Sequence, residues 1–237
     1  MTSVVDDEYV GSRVLFFGRF KCPATRKIYT QLLRYDFDVT YIESKKRGEA
    51  LPEHVLQWEG DYIFCFRSLY ILPDKLLKKS KIAAINFHPA PPEYPGSGCI
   101  NFALYEGEKI YGVTAHLMNE KVDNGQILEV RRFPVGSLDN LSMVLDRTLS
   151  ELYFMASDFI HFLVVKGRGI ILEKATFASH ESWSGDARLM REFEALSTVD
   201  CSVSKSELEN IIRATYVKDY PPKITLHGYN FYLKIED

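Results

Sequence analysis

Arg13-Val-Leu-Phe-Phe-Gly18 is an apolar run closed by glycine, which predicts a buried strand. Ala24 to Arg34 carries Ile28, Leu32 and Leu33 at helical spacing, and Asp38 to Ile42 is β-branched and aromatic, which predicts a second strand. A short helix over Leu51 to Trp58 and a strand over Asp61 to Phe66 follow. Pro73, at a favoured first helical position, then opens a helix running to Lys81, and Ala83 to Phe87 reads as a fourth strand. Strands that alternate with helices run parallel, so this half predicts an open, doubly wound, mostly parallel α/β sheet. Such sheets take their ligands at the carboxyl ends of the strands.

The second half has a different rhythm. Tyr111 to Met118 and Gln126 to Val135 are strand-like and flank the turn Val122-Asp-Asn-Gly125. Leu138 to Val165 predicts a long helix, apolar at Leu141, Val144, Leu145, Leu149, Leu152, Phe159 and Leu163, and Ile170 to Leu172 predicts a short strand. From Ser179 the chain turns polar. Helices are expected over Asp186 to Leu196 and Ser204 to Arg213, the latter with Ser204 and Glu207 at capping-box spacing. A hairpin is expected around His227-Gly228. The chain thus divides into residues 1–178 and an extension, 179–237, whose hairpin is expected to bury one face against its own domain or, at a dimer interface, against a second subunit.

Composition narrows the functional classes. The 237 residues are 46% hydrophobic and 26% charged, enough apolar surface for a folded core. With 29 basic and 32 acidic residues the chain has no gross electrostatic claim on nucleic acid or acidic membranes. Cys22, Cys65, Cys99 and Cys201 lie far apart without a CxxC pair, so neither a zinc site nor a disulfide framework is expected, and reduced thiols suit the cytoplasm. Met1 to Gly11, with Asp6, Asp7 and Glu8, is not a signal peptide, and no uninterrupted apolar run has membrane-spanning length.

The chemistry concentrates in Asn86-Phe-His-Pro-Ala-Pro-Pro-Glu-Tyr-Pro-Gly-Ser-Gly98. Asn86 and His88 are two apart at a strand end, so an amide and an imidazole share one side. The prolines and glycines after them predict a rigid, site-shaping loop. Asp123, in the Asp-Asn-Gly turn, is available to pair with the histidine. Singly, each feature is ordinary structure; their order and spacing make the constellation. Cys99 reads as a packing residue. Gly18-Arg-Phe-Lys-Cys-Pro23 has a single glycine and is no dinucleotide loop. On one strand Arg131 and Arg132 point to opposite faces, so at most one serves a given pocket. Tyr94, Tyr105 and Trp183 are candidate platforms for a ring, with packing the alternative.

These motifs resemble the formyltransferases that use N10-formyltetrahydrofolate. The resemblance rests on Asn86, His88, Pro89, the Tyr94-Pro95-Gly96 loop, Gly112-Val-Thr114, Asp123, Gly125 and Gln126-Ile-Leu128, and covers about residues 13–178. It implies a Rossmann-like formyltransferase fold and no metal. By the same resemblance Asn86, His88 and Asp123 are catalytic, and a folate slot lies between Arg67, Leu69, Tyr70 and Leu72 on one side and Asn119 and Val122 on the other. Tyr94, Gly96, Ser97, Tyr105 and Trp183 are the expected substrate contacts.

The loop and the tail Ile212-Arg-Ala-Thr215, Tyr220-Pro-Pro222 and His227-Gly-Tyr-Asn-Phe231 look like the sugar branch. That branch formylates nucleotide-linked amino-dideoxy sugars for surface polysaccharide such as O-antigen, and is dimeric. The expected acceptor is dTDP-4-amino-4,6-dideoxyglucose, then GDP-perosamine or a dTDP-3-amino-3,6-dideoxy sugar. The rivals are glycinamide ribonucleotide formyltransferase, methionyl-tRNA formyltransferase and a non-catalytic folate or nucleotide-sugar binding protein. Ten acidic against seven basic residues in 179–237 argue against RNA.

Overall fold

A computed structural model describes residues 11–218 and 221–235. The acidic residues preceding Gly11, and Tyr220 of the tail motif, lie outside the described residues. Six strands form one sheet: β1 (Arg13–Arg19), β2 (Asp38–Ser44), β3 (Gly60–Phe66), β4 (Ser80–His88), β5 (Ile110–Leu117) and β6 (Ile127–Pro134), in the order β2-β1-β3-β4-β5-β6. The first four are parallel, while β5 and β6 run antiparallel to their neighbours. The doubly wound, mostly parallel expectation therefore holds.

The unbroken apolar run of β1 follows from burial on both faces. Val14 and Phe16 join a cluster with α1 (Pro23–Arg34), α4 (Leu141–Lys166) and α5 (Gly169–Phe177). Leu15 and Phe17 face the opposite layer, formed by the 3₁₀ helix Glu53–Gln57 and α2 (Asp74–Leu77). By length and composition α4 is apolar enough to cross a membrane, but Leu152, Met155, Phe159 and Leu163 are buried on the sheet as core.

A third cluster joins Tyr94, Tyr111 and Phe133 to α3 (Cys99–Tyr105) and to Ala214 of α7 (Lys205–Thr215). Packing therefore crosses the compositional change at residue 179. Asn101 Nδ2 donates to Ala214 O at 2.8 Å, and Arg213 Nε donates to Asp139 O at 2.9 Å.

Local expectations needed correction in several places. Ile170 to Leu172 is helical, within α5: Ile170 and Ala175 are buried while Leu172 is exposed, the pattern of one inward helix face rather than a strand. The short helix α3 was not anticipated; it starts after Gly98, whose φ of 70° lets the loop turn into it. The helix expected from Asp186 begins only at Met190 (α6, Met190–Leu196), because Arg188 is in a bridge with Gly96. Only half of the capping box forms: Ser204 Oγ accepts from Glu207 N, but the Glu207 carboxylate accepts from Tyr105 Oη at 2.5 Å. The hairpin is present as β7 (Lys223–Leu226) and β8 (Tyr229–Tyr232), and His227 and Gly228 turn with φ of 50° and 84°.

Candidate active site

β4 delivers Asn86 and His88 to the carboxyl end of the sheet, on one face as period two requires. Antiparallel β5 then sets His116 opposite Asn86. The loop leaving β4 is held down by Tyr111 Oη, which donates to Pro89 O at 3.1 Å, and by Thr114 Oγ1, which donates to Ala90 O at 2.8 Å. The turn after β5 swings Asp123 back over the strand end, with φ of 44°.

Asp123 is the hub. Its Oδ2 lies 3.3 Å from His88 Nδ1 and accepts from Gly96 N at 2.9 Å. Its Oδ1 accepts from Asn86 Nδ2 at 3.3 Å and lies 3.4 Å from His116 Nε2. His116 Nδ1 donates to Leu117 O at 2.8 Å, and its Nε2 also lies 3.2 Å from Asn86 Nδ2. His88, His116 and Asp123 are buried, while Asn86 is only half-buried.

The electrostatics follow from this packing. Burial opposes ionisation of Asp123, but the His88 charge, the His116 hydrogen bond and charge and the Gly96 N–H outweigh it and bring its pKa down to about 2. Burial pushes the His88 imidazole below its ordinary value, more strongly than the Asp123 charge raises it. Both groups therefore bind protons more readily in the unfolded chain, and stability rises with pH. The His88 contribution is complete above about pH 6.5 and is lost as pH falls through the depressed folded value; the Asp123 contribution fades toward about pH 2. The unfolding midpoint of the wild type is expected to fall between pH 7 and 5, and His88→Gln should flatten that slope in a thermal melt series.

Trp183 closes one side. Its Nε1 donates to Gly125 O at 2.7 Å, and its ring stands edge-on to His116 and His88, with centroids 4.9 and 5.9 Å away. The other expected substrate contacts divide. Gly96 and Ser97 belong to the loop at the site. Tyr94 is buried; its hydroxyl donates to Glu106 Oε2 at 2.6 Å, with Glu108 Oε1 3.2 Å away, and its carbonyl faces His88 Nε2 at 3.2 Å, so it shapes the histidine's surroundings instead of offering a free ring. Tyr105 serves the α3–α7 contact instead. Cys99 packs here, its thiol pushed up to about 12 by burial and then by the Asp123 charge.

The segments expected to hold the folate lie on one side of the sheet. Tyr70 packs with Met118 against the Leu15–Phe17 layer, so the 67–72 and 118–122 segments share that face. Val122 and Asn119 are exposed there. Leu72 is a correction: at 6% exposure it belongs to the core, because the chain must turn inward to start α2. Arg67 sits at φ of 57° and its guanidinium lies 3.4 Å from Cys22 Sγ. Arg131 pairs with Glu129 and Asp158, and Arg132 with Glu93 and Glu181, on opposite faces as expected.

His116 was missed in the sequence. Its signal was there: Thr114 and His116 are polar and alternate within an otherwise apolar strand, but only the β4–β5 register places the imidazole against Asn86. Among the described residues no group of three or more His, Cys, Asp or Glu side chains is arranged to hold a metal ion.

A sequence profile described as formyl transferase matches residues 21–153, more than half of the chain and the whole constellation. The chain belongs to the formyl transferase family. A methionyl-tRNA formyltransferase of Listeria innocua serovar 6a is 33% identical over 147 residues, 60% of this chain and 47% of that protein. This family member thus spans about half the length of the curated relatives it matches. Its fold is similar to a sugar N-formyltransferase from a Shewanella species, with a TM-score of 0.71, 19% identity, and coverage of 94% of this chain and 97% of that one. It is also similar to an N-formyltransferase of Helicobacter canadensis in complex with folinic acid and dTDP-3-aminofucose, with a TM-score of 0.67, 16% identity, and coverage of 92% and 85%. As a formyl transferase family chain it carries the Asn86, His88 and Asp123 cluster at the strand ends where doubly wound sheets bind ligands.

Proposed function

We propose that the protein transfers the formyl group of N10-formyltetrahydrofolate to the amine of a nucleotide-linked amino-dideoxy sugar. The observation that carries this reading is the convergence of Asn86, His88 and Asp123, within 3.3 Å contacts, at the end of β4. The attacking amine nitrogen forms a bond to the formyl carbon, the carbonyl oxygen takes the negative charge, and collapse breaks the bond to N10. The amine proton leaves and N10 gains one, so formamide and tetrahydrofolate result.

Asn86, half-buried at the end of β4, is placed to give the oxyanion an N–H it now gives to Asp123; one such donor is worth about 10²–10³ in rate. Asp123, held ionised, accepts or relays the amine proton, and His88 partners it. The folate donor is assigned to the face shared by Arg67, Leu69, Tyr70, Asn119 and Val122.

The sugar acceptor is supported by the fold shared with the Shewanella sugar N-formyltransferase and with the Helicobacter enzyme bound to dTDP-3-aminofucose, and by the acidic balance of residues 179–237. First among acceptors is dTDP-4-amino-4,6-dideoxyglucose, then GDP-perosamine or a dTDP-3-amino-3,6-dideoxy sugar. The products would serve surface polysaccharide. Incubation with each nucleotide amino sugar and the folate donor should yield an acceptor heavier by one carbonyl in a mass spectrum. Formylation of methionyl-tRNA alone, or of no amine, would overturn the reading.

A second copy of the chain completes the proposed assembly. Tyr229, Phe231 and Tyr232 of the hairpin are 73%, 57% and 61% exposed, and a two-stranded ribbon is marginal in water on its own. Light scattering should report a dimer that Phe231→Ser with Tyr232→Ser converts to monomer; a wild-type monomer at micromolar concentration would refute it.

A further inference from the structure

Residues 183–188 lie beyond the family match, in the polar extension, yet they touch both arms of the site. On one arm, Arg188 N donates to Pro95 O at 3.1 Å and Arg188 O accepts from Ser97 N at 2.8 Å, so its backbone brackets Gly96 from both sides. Ser184 N adds a bond to Pro92 O at 3.0 Å. On the other arm, Trp183 Nε1 donates to Gly125 O, two residues after Asp123. The approach is tight: a Cβ on Gly96, whose φ is +92°, would lie 2.4 Å from Arg188 O.

The Arg188 side chain anchors this segment. Its guanidinium carbon lies 4.0 Å from the Phe102 ring centroid and 5.5 Å from that of Tyr94, and Nη2 donates to Glu106 Oε1 at 2.8 Å. Nη1 is buried without a hydrogen-bond partner, so the aromatic faces compensate the charge on that side. Phe102 and Glu106 belong to the helical turn that follows the loop, and Tyr94 to the loop itself.

We infer that residues 183–188 form a strap that fixes Asp123 between Asn86 and His88, with Trp183 and Arg188 as positioning residues. The coupling has a defined route. Arg188 orients the Gly96 amide, that amide donates to Asp123 Oδ2, and Trp183 holds the turn that carries Asp123. Neither residue needs to touch a reacting atom. Asp123 is faced by His88 from β4, by His116 from β5 and by the Cys99 thiol from α3, and loss of the Gly96 N–H raises its proton affinity against that background.

The inference rests on the proposed formyl transfer only for its kinetic arm, and a second arm needs no substrate. Cys99 Sγ donates to Gly96 O at 3.1 Å beneath the strap, so its alkylation reports opening of the loop. Iodoacetamide labelling read by peptide mass spectrometry is expected to be about tenfold faster at Cys99 in Arg188→Met and Trp183→Phe, through local opening, and intermediate in Arg188→Lys. In formyl transfer, the same variants should lose about 10–100-fold in kcat with the donor KM changed less than about twofold. The acid limb of the pH profile should move upward, and Arg188→Lys should recover part of both. Unchanged Cys99 labelling in both Trp183→Phe and Arg188→Lys, or a kcat loss with an unmoved acid limb, overturns the strap. Should Arg188→Met fail to fold, the other two variants decide. A wild-type protein that formylates nothing defeats the functional reading and leaves the labelling arm to decide the strap.

Discussion

Asp123→Asn will cost formyl transfer about 10²–10⁴-fold in kcat, the usual worth of a positioned acid–base group. The carboxylate is the one group that meets Asn86, His88, His116 and the Gly96 amide together. Asparagine keeps the shape and can still accept from Gly96, so the fold and the donor KM should stay within a few-fold. What disappears is the negative charge. It is held in place with a pKa of about 2, since His88, His116 and Gly96 together outweigh its burial. Product formation followed by mass spectrometry at neutral pH measures the loss; a variant within tenfold of wild type would remove Asp123 from the chemistry.

Gly125→Ala should be nearly as damaging, through geometry. A Cβ there would lie 1.7 Å from Leu117 O, a backbone atom that cannot swing aside. Gly125 is pinned on its other side as well: its carbonyl accepts from Trp183 Nε1, and the next residue's carbonyl accepts from Leu117 N at 2.8 Å. The turn must therefore move, and Asp123, two residues earlier, moves with it. A displacement on the order of 1 Å at a reacting group costs about a hundredfold. The variant should show that loss in kcat together with a lowered unfolding midpoint. Wild-type kcat with a retained melting temperature would mean that the turn has slack the packing does not suggest.

The two expectations differ in where their information lies. Asn86 and His88 were legible because a strand's period of two places alternate residues on one face, whatever else the chain does. Asp123 was legible as a turn residue. Its partner on β5 was not: His116 meets Asn86 only through the antiparallel register, a relation between segments thirty residues apart. Tyr94 could be a platform or a packing residue, and the structure decides for packing, its hydroxyl bonded to Glu106. Leu72 could be slot or core by sequence, and its burial makes it core. The helix over Ile170 to Leu172 was misread because three residues do not distinguish a helix from a strand when the burying surface is unknown.

By itself the chain determined its alternation of strands and helices, the apolar faces that cover β1 on both sides, and the amide, imidazole and carboxylate that make the site. Those follow from local periodicity and turn chemistry, which act over a few residues. Only the tertiary structure decided that His116 joins them, that α7 packs into the third core cluster, and that a polar stretch after residue 182 lies across both arms of the site. Such contacts depend on register and on burial shared between distant segments, and no short window of sequence carries them.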